Sequence, residues 1–139
     1  MVKLIEHLPL TIFVVVIFFF IEGLNLNFIF LCLLFGWLID IDHVIDFLLL
    51  NNKGFLNVKV FLSGSYFQKS QKIFIIFHSY EITFLLFVFS VLIDQNTFYV
   101  ALAHFFHLLQ DQIFNKVKIF SYFFIYRLIN KFNINAVCI

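Results

Sequence analysis

The sequence FGWLIDIDHVIDFLLL, residues 35 to 50, places ionisable side chains inside one of the most apolar stretches of the chain. These side chains are Asp40, Asp42, His43 and Asp46, and each lies among apolar neighbours. A carboxylate in apolar surroundings is costly unless a partner compensates its charge, so such residues mark functional positions. The stretch therefore predicts an apolar helix whose acidic side chains face a shared partner.

The composition of the whole chain is typical of a membrane protein. Hydrophobic residues make up 63% of the 139 residues and charged residues only 12%, whereas a soluble domain is about half apolar and about one quarter charged. The length allows one domain, residues 1–139. The formal net charge of +1 gives no electrostatic basis for binding nucleic acid. The expected partner is the lipid bilayer, and the sequence does not indicate an oligomeric state.

Hydropathy predicts an all-α fold. The apolar segments are apolar at consecutive positions rather than at alternate ones, which favours helices over the strands of a membrane barrel. Four segments approach the length of a membrane span, and a fifth, at about 119–129, is short. The four are about 8–21, 28–50, 73–93 and 97–114. We predict a polytopic membrane helix bundle with about four transmembrane helices plus a short fifth C-terminal helix.

The basic residues predict the orientation of this bundle. Lysines precede the first segment, lie between the second and the third, and follow the fourth, whereas the turns at 22–27 and 94–96 contain neither Lys nor Arg. By the positive-inside rule the N-terminus is cytoplasmic, in a bacterial or archaeal cytoplasmic membrane. The first segment lacks a small-residue cleavage site, so we expect a retained membrane helix rather than a signal peptide.

The third and fourth segments also carry polar groups at the predicted cytoplasmic depth. His78 and Glu81 lie near the start of the third segment, and a helix would place this i, i+3 pair on one face. His104, His107 and Asp111 lie in the second half of the fourth segment. At about 100° per residue these three fall within an arc of about 60°. Each segment thus directs a polar stripe towards the bundle interior.

The second segment follows a similar pattern. Asp40, His43 and Asp46 fall on an arc of about 120°, whereas Asp42 lies off that arc in an ideal helix and is expected where the helix loosens. Taken alone, each such residue is more often a hydrogen-bonded core residue or an acid that reaches water at a helix end. Three clusters at one predicted depth favour a shared site instead.

Divalent metal binding is the chemistry that suits this set. Carboxylates and imidazoles are ligands of Zn²⁺, Mn²⁺ and Fe²⁺, and bundles often draw metal ligands from facing helices. A cation also removes the repulsion between neighbouring carboxylates. The candidates outnumber the ligands of one tetrahedral metal, so either two metals bind or some residues orient the histidines. We expect a divalent metal, Zn or Mn.

The motifs occur in the order GWLIDIDH at 36–43, FHSYE at 77–81 and HLLQD at 107–111. This order resembles that of the YdjM-like family of membrane-bound metal-dependent hydrolases, although the family's LPD reads LID here and Phe77 replaces a threonine. The resemblance implies a metal site formed by Asp40, Asp42, His43, His78, His107 and Asp111.

The first functional hypothesis is a metal-dependent hydrolase of the inner membrane that acts on a lipid or phosphoester. Metal-activated water would be the nucleophile. The general base would be Glu81 or an aspartate that does not bind the metal. Asp46 and His104 would orient the ligands. The alternatives are a metal-ion or proton transport component, and a structural membrane protein with a metal-stabilised core. The segments' outer halves are apolar and no internal repeat is visible, which counts against transport.

Overall fold

The computed structural model describes residues 4–50, 58–62, 65–115 and 117–138. Within these ranges the chain is mainly helical and contains isolated β-bridges but no strand, which confirms the predicted all-α class. The helices are α1 (Leu4–Glu22), α2 (Leu26–Gly36), α3 (Ile41–Leu50), α4 (Val58–Leu62), α5 (Ser65–Ser70), α6 (Tyr80–Leu92), α7 (Thr97–Phe114), α8 (Phe124–Ile129) and α9 (Ile134–Val137).

Helix α7 is the element around which α1, α2 and α6 pack. Its bounds confirm the prediction for residues 97–114. The buried side of its N-terminal half carries small or β-branched residues, which allow the neighbouring helices to approach closely. The buried side of its C-terminal half carries polar groups. These buried residues are Val100, Ala101, Ala103, His104, His107, Leu108 and Asp111.

The second apolar segment is broken, contrary to the prediction of one helix over 28–50. Helix α2 ends at Gly36, a 3₁₀ turn follows at Leu38–Asp40, and α3 continues from there with a bend of 49°. The break releases the Gly36 carbonyl from the helix, and this oxygen accepts a hydrogen bond of 2.7 Å from the Thr11 hydroxyl. The turn also brings Asp42 onto a buried face, as expected where the helix loosens.

The prediction of a helix from residue 73 is wrong for its first turns. Residues 71–79 form no helix, and α6 begins only at Tyr80. His78 therefore does not share a helical face with Glu81, which lies in the first turn of α6. The physical reason is that amides before α6 bond to distant groups: the N–H of Phe77, for example, donates to Asp42 Oδ2 at 2.7 Å.

The C-terminal part of the described chain packs against α3 and α5. Where the sequence predicts a short helix over 119–129, α8 covers only its second half, and α9 follows. Val137 of α9 joins an apolar cluster with residues from α3, α5 and the segment before α6. This cluster consists of Phe47, Tyr66, Phe67, Ile73, Ile75 and Val137.

The apolar helices are short relative to a membrane span. In the part of the chain that the structure describes, no helix taken singly combines the length and the apolar character of a span. Helices α2 and α3 meet the criteria together, across their 49° bend. The helical stretches Leu8–Glu22 and Tyr80–Leu92 are apolar but shorter.

Gly36 allows the close contact between α1, α2 and α7. A Cβ atom at this position would lie 2.8 Å from Thr11 Oγ1 and 3.0 Å from Ala103 Cβ. These distances are shorter than van der Waals contact, and both neighbours are short side chains that cannot move aside.

We therefore expect Gly36→Ala to lower the free energy of unfolding by about 1–3 kcal/mol, the usual cost of overpacking a core. Denaturant titration of the detergent-purified protein measures this change. Leu26→Ala is the control, since Leu26 is 71% exposed, and it should stay within about 0.5 kcal/mol of the parent. An unchanged free energy for Gly36→Ala would contradict the close approach.

Candidate metal centre

Four ionisable side chains from three parts of the fold converge at one point. Asp40 comes from the 3₁₀ turn, His78 from the segment before α6, and His107 and Asp111 from α7. One ligand atom of each lies within 4.8 Å of the other three. The two histidines and Asp111 are buried, whereas the Asp40 side chain is 16% exposed. This cluster could hold a metal ion.

The separations between these atoms suit a single small cation. Asp40 Oδ1 lies 3.1 Å from His78 Nε2 and 3.6 Å from His107 Nε2. The two histidine Nε2 atoms are 3.2 Å apart. Asp111 Oδ2 lies 3.7 Å from His107 Nε2 and 4.0 Å from His78 Nε2. A tetrahedral site with ligands at about 2.0–2.2 Å has edges of about 3.3–3.6 Å. Small side-chain movements would complete such a shell.

The Gly36 carbonyl orients His107. The Nδ1 atom of His107 lies 3.2 Å from this oxygen, and a carbonyl only accepts, so Nδ1 carries the proton. In the neutral ring, Nε2 then presents its lone pair to the cluster, which is the state that binds a metal. The break after α2 thus contributes directly to the centre.

Asp42 orients His78 and the backbone that carries it. Its Oδ2 atom lies 3.4 Å from His78 Nδ1 and also accepts the backbone N–H groups of Phe77 and His78, at 2.7 and 3.3 Å. The carboxylate therefore directs Nε2 of His78 towards the cluster. A carboxylate bonded to the far nitrogen of a ligand histidine is a recurrent arrangement in metal sites.

Asp111 is held from the side opposite to the cluster. Its Oδ1 accepts a hydrogen bond of 2.8 Å from the Asn115 side chain, which also donates to the Tyr122 hydroxyl at 3.1 Å. Tyr122 hydrogen-bonds to Asp111 in turn. Burial raises the pKa of Tyr122 well above its usual value, and the charge of Asp111 raises it further. The phenol therefore remains a donor at neutral pH.

His104 lies one turn from His107 but outside the cluster. Its Nδ1 is 2.7 Å from Thr83 Oγ1, and its Nε2 is 3.1 Å from the Phe77 carbonyl. Since the carbonyl requires a donor, Nε2 carries the proton and the Thr83 hydroxyl donates to Nδ1. His104 thus fixes the residue that precedes His78, and its geometry is that of an orienting residue.

His43 and Asp46 lie on α3 beside the centre. Nε2 of His43 is 3.9 Å from Asp40 Oδ1, and the His43 ring packs against that of His78 with 4.7 Å between centroids. Asp46 is fully buried and accepts the Phe74 N–H at 2.8 Å. The structure brings His43 to the edge of the four-residue cluster and leaves Asp46 outside it.

Glu81 faces away from the cluster. Its two carboxylate oxygens accept the backbone N–H groups of Phe124 and Ile125, at 2.9 and 3.0 Å. These amides begin α8 and have no acceptor within that helix, so Glu81 caps its N-terminus. The structure does not bring this sequence-predicted general base to the other candidates.

Arg127 is the most informative residue that sequence reasoning left out. Its side chain is fully buried, and Nη2 donates to the His78 carbonyl at 2.9 Å. Burial lowers its pKa to about 10, so the guanidinium remains charged at neutral pH. A lone charge in the apolar run FFIYRLI was the available signal, but the orientation rule already accounted for it.

The two aspartates of α3 provide a matched test of this arrangement. We expect Asp42→Asn to weaken metal binding by about 10–100-fold, the usual effect of removing a residue that orients a ligand. Asp46→Asn should keep an affinity closer to that of the parent, because the Asp46 carboxylate accepts the Phe74 amide and lies outside the four-residue cluster, while Asn retains an acceptor oxygen.

The measurement is a competition titration of the metal-stripped protein with a chelator of known affinity. His107→Ala serves as the reference for loss of a ligand. Equal affinities for Asp42→Asn and the parent would show that Asp42 does not orient His78 in the bound state.

Comparison with known proteins gives no further assignment. No protein-family model, no curated protein and no solved structure matches the chain.

Proposed function

We propose that this protein is a metal-dependent hydrolase of the cytoplasmic membrane. The observation that carries the proposal is the convergence of Asp40, His78, His107 and Asp111 within 4.8 Å. A mixed set of nitrogen and oxygen ligands suits Zn²⁺ and Mn²⁺. The order of the sequence motifs, which resembles that of the YdjM-like hydrolases, is consistent with it.

The proposed chemistry depends on the exposure of Asp40. A divalent ion held by the four residues would supply Lewis acidity and lower the pKa of a bound water. Asp40 is the most exposed of the four candidate ligands, at 16% of its side chain against 0–4% for the others. A substrate would therefore approach past Asp40, beside which His43 lies. Glu81 is not part of this proposal, because both its oxygens bond to amides of α8.

A structural metal site is the second candidate. Four protein ligands fill a tetrahedral shell, and closed shells are typical of structural zinc, whereas a catalytic ion keeps one position open. An ion with a larger shell, such as Mn²⁺, retains open positions with the same four ligands. Activity in the presence of Mn²⁺ or Zn²⁺ separates the two candidates.

Exposed apolar side chains support a location in the membrane. Phe20, Leu26 and Val91 are 79%, 71% and 83% exposed, and they lie on α1, α2 and α6. Buried positions meanwhile hold aspartates, histidines and an arginine. An apolar exterior around a polar interior suits a protein surrounded by lipid. The basic loops face the cytoplasm in this proposal, and the metal centre lies near that interface, within reach of a lipid head group or a phosphoester.

We expect the Zn²⁺- or Mn²⁺-loaded protein to hydrolyse a phosphoester probe or phospholipid in mixed micelles, and chelation to abolish this activity. His107→Ala should lose both metal and activity because a ligand is removed. His104→Gln, on the same helix, should lose less metal than His107→Ala, because His104 lies outside the cluster. Elemental mass spectrometry and product release are the measurements.

Stoichiometric metal without hydrolysis of any phosphoester or lipid would favour the structural site. No metal in the parent, even after reconstitution with either ion, would contradict both candidates.

The orientation is tested with single cysteines in a chain whose Cys32 and Cys138 are replaced by alanine. Leu24→Cys lies in the turn between α1 and α2, and Lys69→Cys lies in α5. A membrane-impermeant maleimide should label the first in intact spheroplasts and the second only after lysis. The reverse pattern would invert the proposed topology, and the same labelling of both positions, whether before or only after lysis, would contradict a membrane crossing between them.

A further inference from the structure

The C-terminal segment, residues 120–137, is bonded along the segment that carries His78. Backbone hydrogen bonds join the two at three levels. They run from the Ile73 N–H to the Phe132 carbonyl at 3.0 Å, from the Ile134 N–H to the Gln71 carbonyl at 3.0 Å, and from the Tyr80 N–H to the Tyr122 carbonyl at 2.9 Å. Residues 71–80 are thus held at both ends by a part of the chain that supplies none of the four candidate ligands.

Arg127 extends this hold to a ligand residue itself. Its Nη2 donates to the His78 carbonyl at 2.9 Å, while the His78 N–H donates to Asp42 Oδ2 at 3.3 Å. Both backbone polar groups of His78 therefore have fixed partners. Because no helix sets the backbone there, these two bonds determine where the imidazole can lie.

The positive charge of Arg127 is compensated by nearby carboxylates of the same chain. The carboxylates that act on its guanidinium are those of Asp42, Glu81 and Asp46. A buried guanidinium needs such countercharge. Asp42, the carboxylate that orients His78, is one of these acids, so Arg127 bonds to the backbone of this candidate ligand and attracts the residue that directs its ring.

We propose that Arg127 is a positioning residue of the metal centre, through which the C-terminal segment sets the metal affinity by fixing His78. This inference rests on the metal-binding part of the proposed function and does not depend on hydrolysis. It assigns a role at the centre to a residue that does not contact the metal.

Arg127→Gln should weaken metal binding by about 10–100-fold, the range observed when a residue that orients a ligand is removed. Arg127→Lys should recover part of this affinity, because it keeps a donor and a positive charge but not the planar fork. A role confined to overall stability would not produce this graded order in metal affinity.

Phe74→Ala is the matched control. Phe74 joins the same two parts of the chain, because its ring packs against that of Phe132 with 4.5 Å between centroids, and its apolar ring neither compensates the charge of Arg127 nor forms a hydrogen bond with His78. We expect both Phe74→Ala and Arg127→Gln to lower the midpoint of thermal unfolding. Only Arg127→Gln should lower the metal affinity strongly.

The experiment titrates the metal-stripped, detergent-purified full chain with Co²⁺ and follows the visible absorption of the bound ion, with thermal unfolding measured in parallel. Equal Co²⁺ affinities for Arg127→Gln and the parent would overturn the proposal, as would equal losses for Arg127→Gln and Phe74→Ala. If Arg127→Gln does not fold, Arg127→Lys decides: an altered Co²⁺ spectrum or a weaker affinity supports the proposal, and parental values overturn it.

The two proposals fail in different ways. If Co²⁺ binding depends on Arg127 but no probe is hydrolysed, the hydrolase proposal is contradicted and the proposed role of Arg127 is supported. Absence of Co²⁺ binding by the parent would overturn both.

Discussion

Buried carboxylates need hydrogen-bond donors, and in this chain that need shapes the backbone around the candidate metal centre. Asp42 accepts the amides of Phe77 and His78, and Asp46 accepts that of Phe74. These bonds replace the ones a helix would have supplied. The segment before α6 therefore stays non-helical, and His78 can turn towards α7. Asp42 and Asp46, which are costly to bury in an apolar chain, therefore position the candidate metal ligand His78.

Elements governed by local pattern could be predicted from the sequence, and elements governed by distant partners could not. The bounds of α7 and the shared face of His104, His107 and Asp111 follow from hydropathy and helical periodicity. The break after Gly36 is hidden because hydropathy stays high on both sides. The late start of α6 was missed because the partners of its preceding amides lie on α3 and in the C-terminal segment.

The same limit applies to the candidate site. Sequence reasoning selected six candidate metal ligands, and the structure brings four of them into one cluster. Asp42 and His43 lie beside it, and their residue types do not distinguish a ligand from a residue that orients one. That distinction depends on which atom faces the cluster. Arg127 was not selected because it bonds to a backbone carbonyl, and no residue type in the sequence indicates such a contact.

The position of α8 in the chain has a consequence for assembly. A nascent chain that ends at Asp111 already contains all four candidate ligands, yet it lacks the residues that hold the His78 backbone. Contacts between residues so distant in sequence form late, because loop closure must precede them. The complete geometry of the cluster therefore arises only after α8 has been synthesised. If the cluster binds metal as we propose, tight capture would have to await α8, and a shorter nascent chain would not retain an ion in its apolar surroundings.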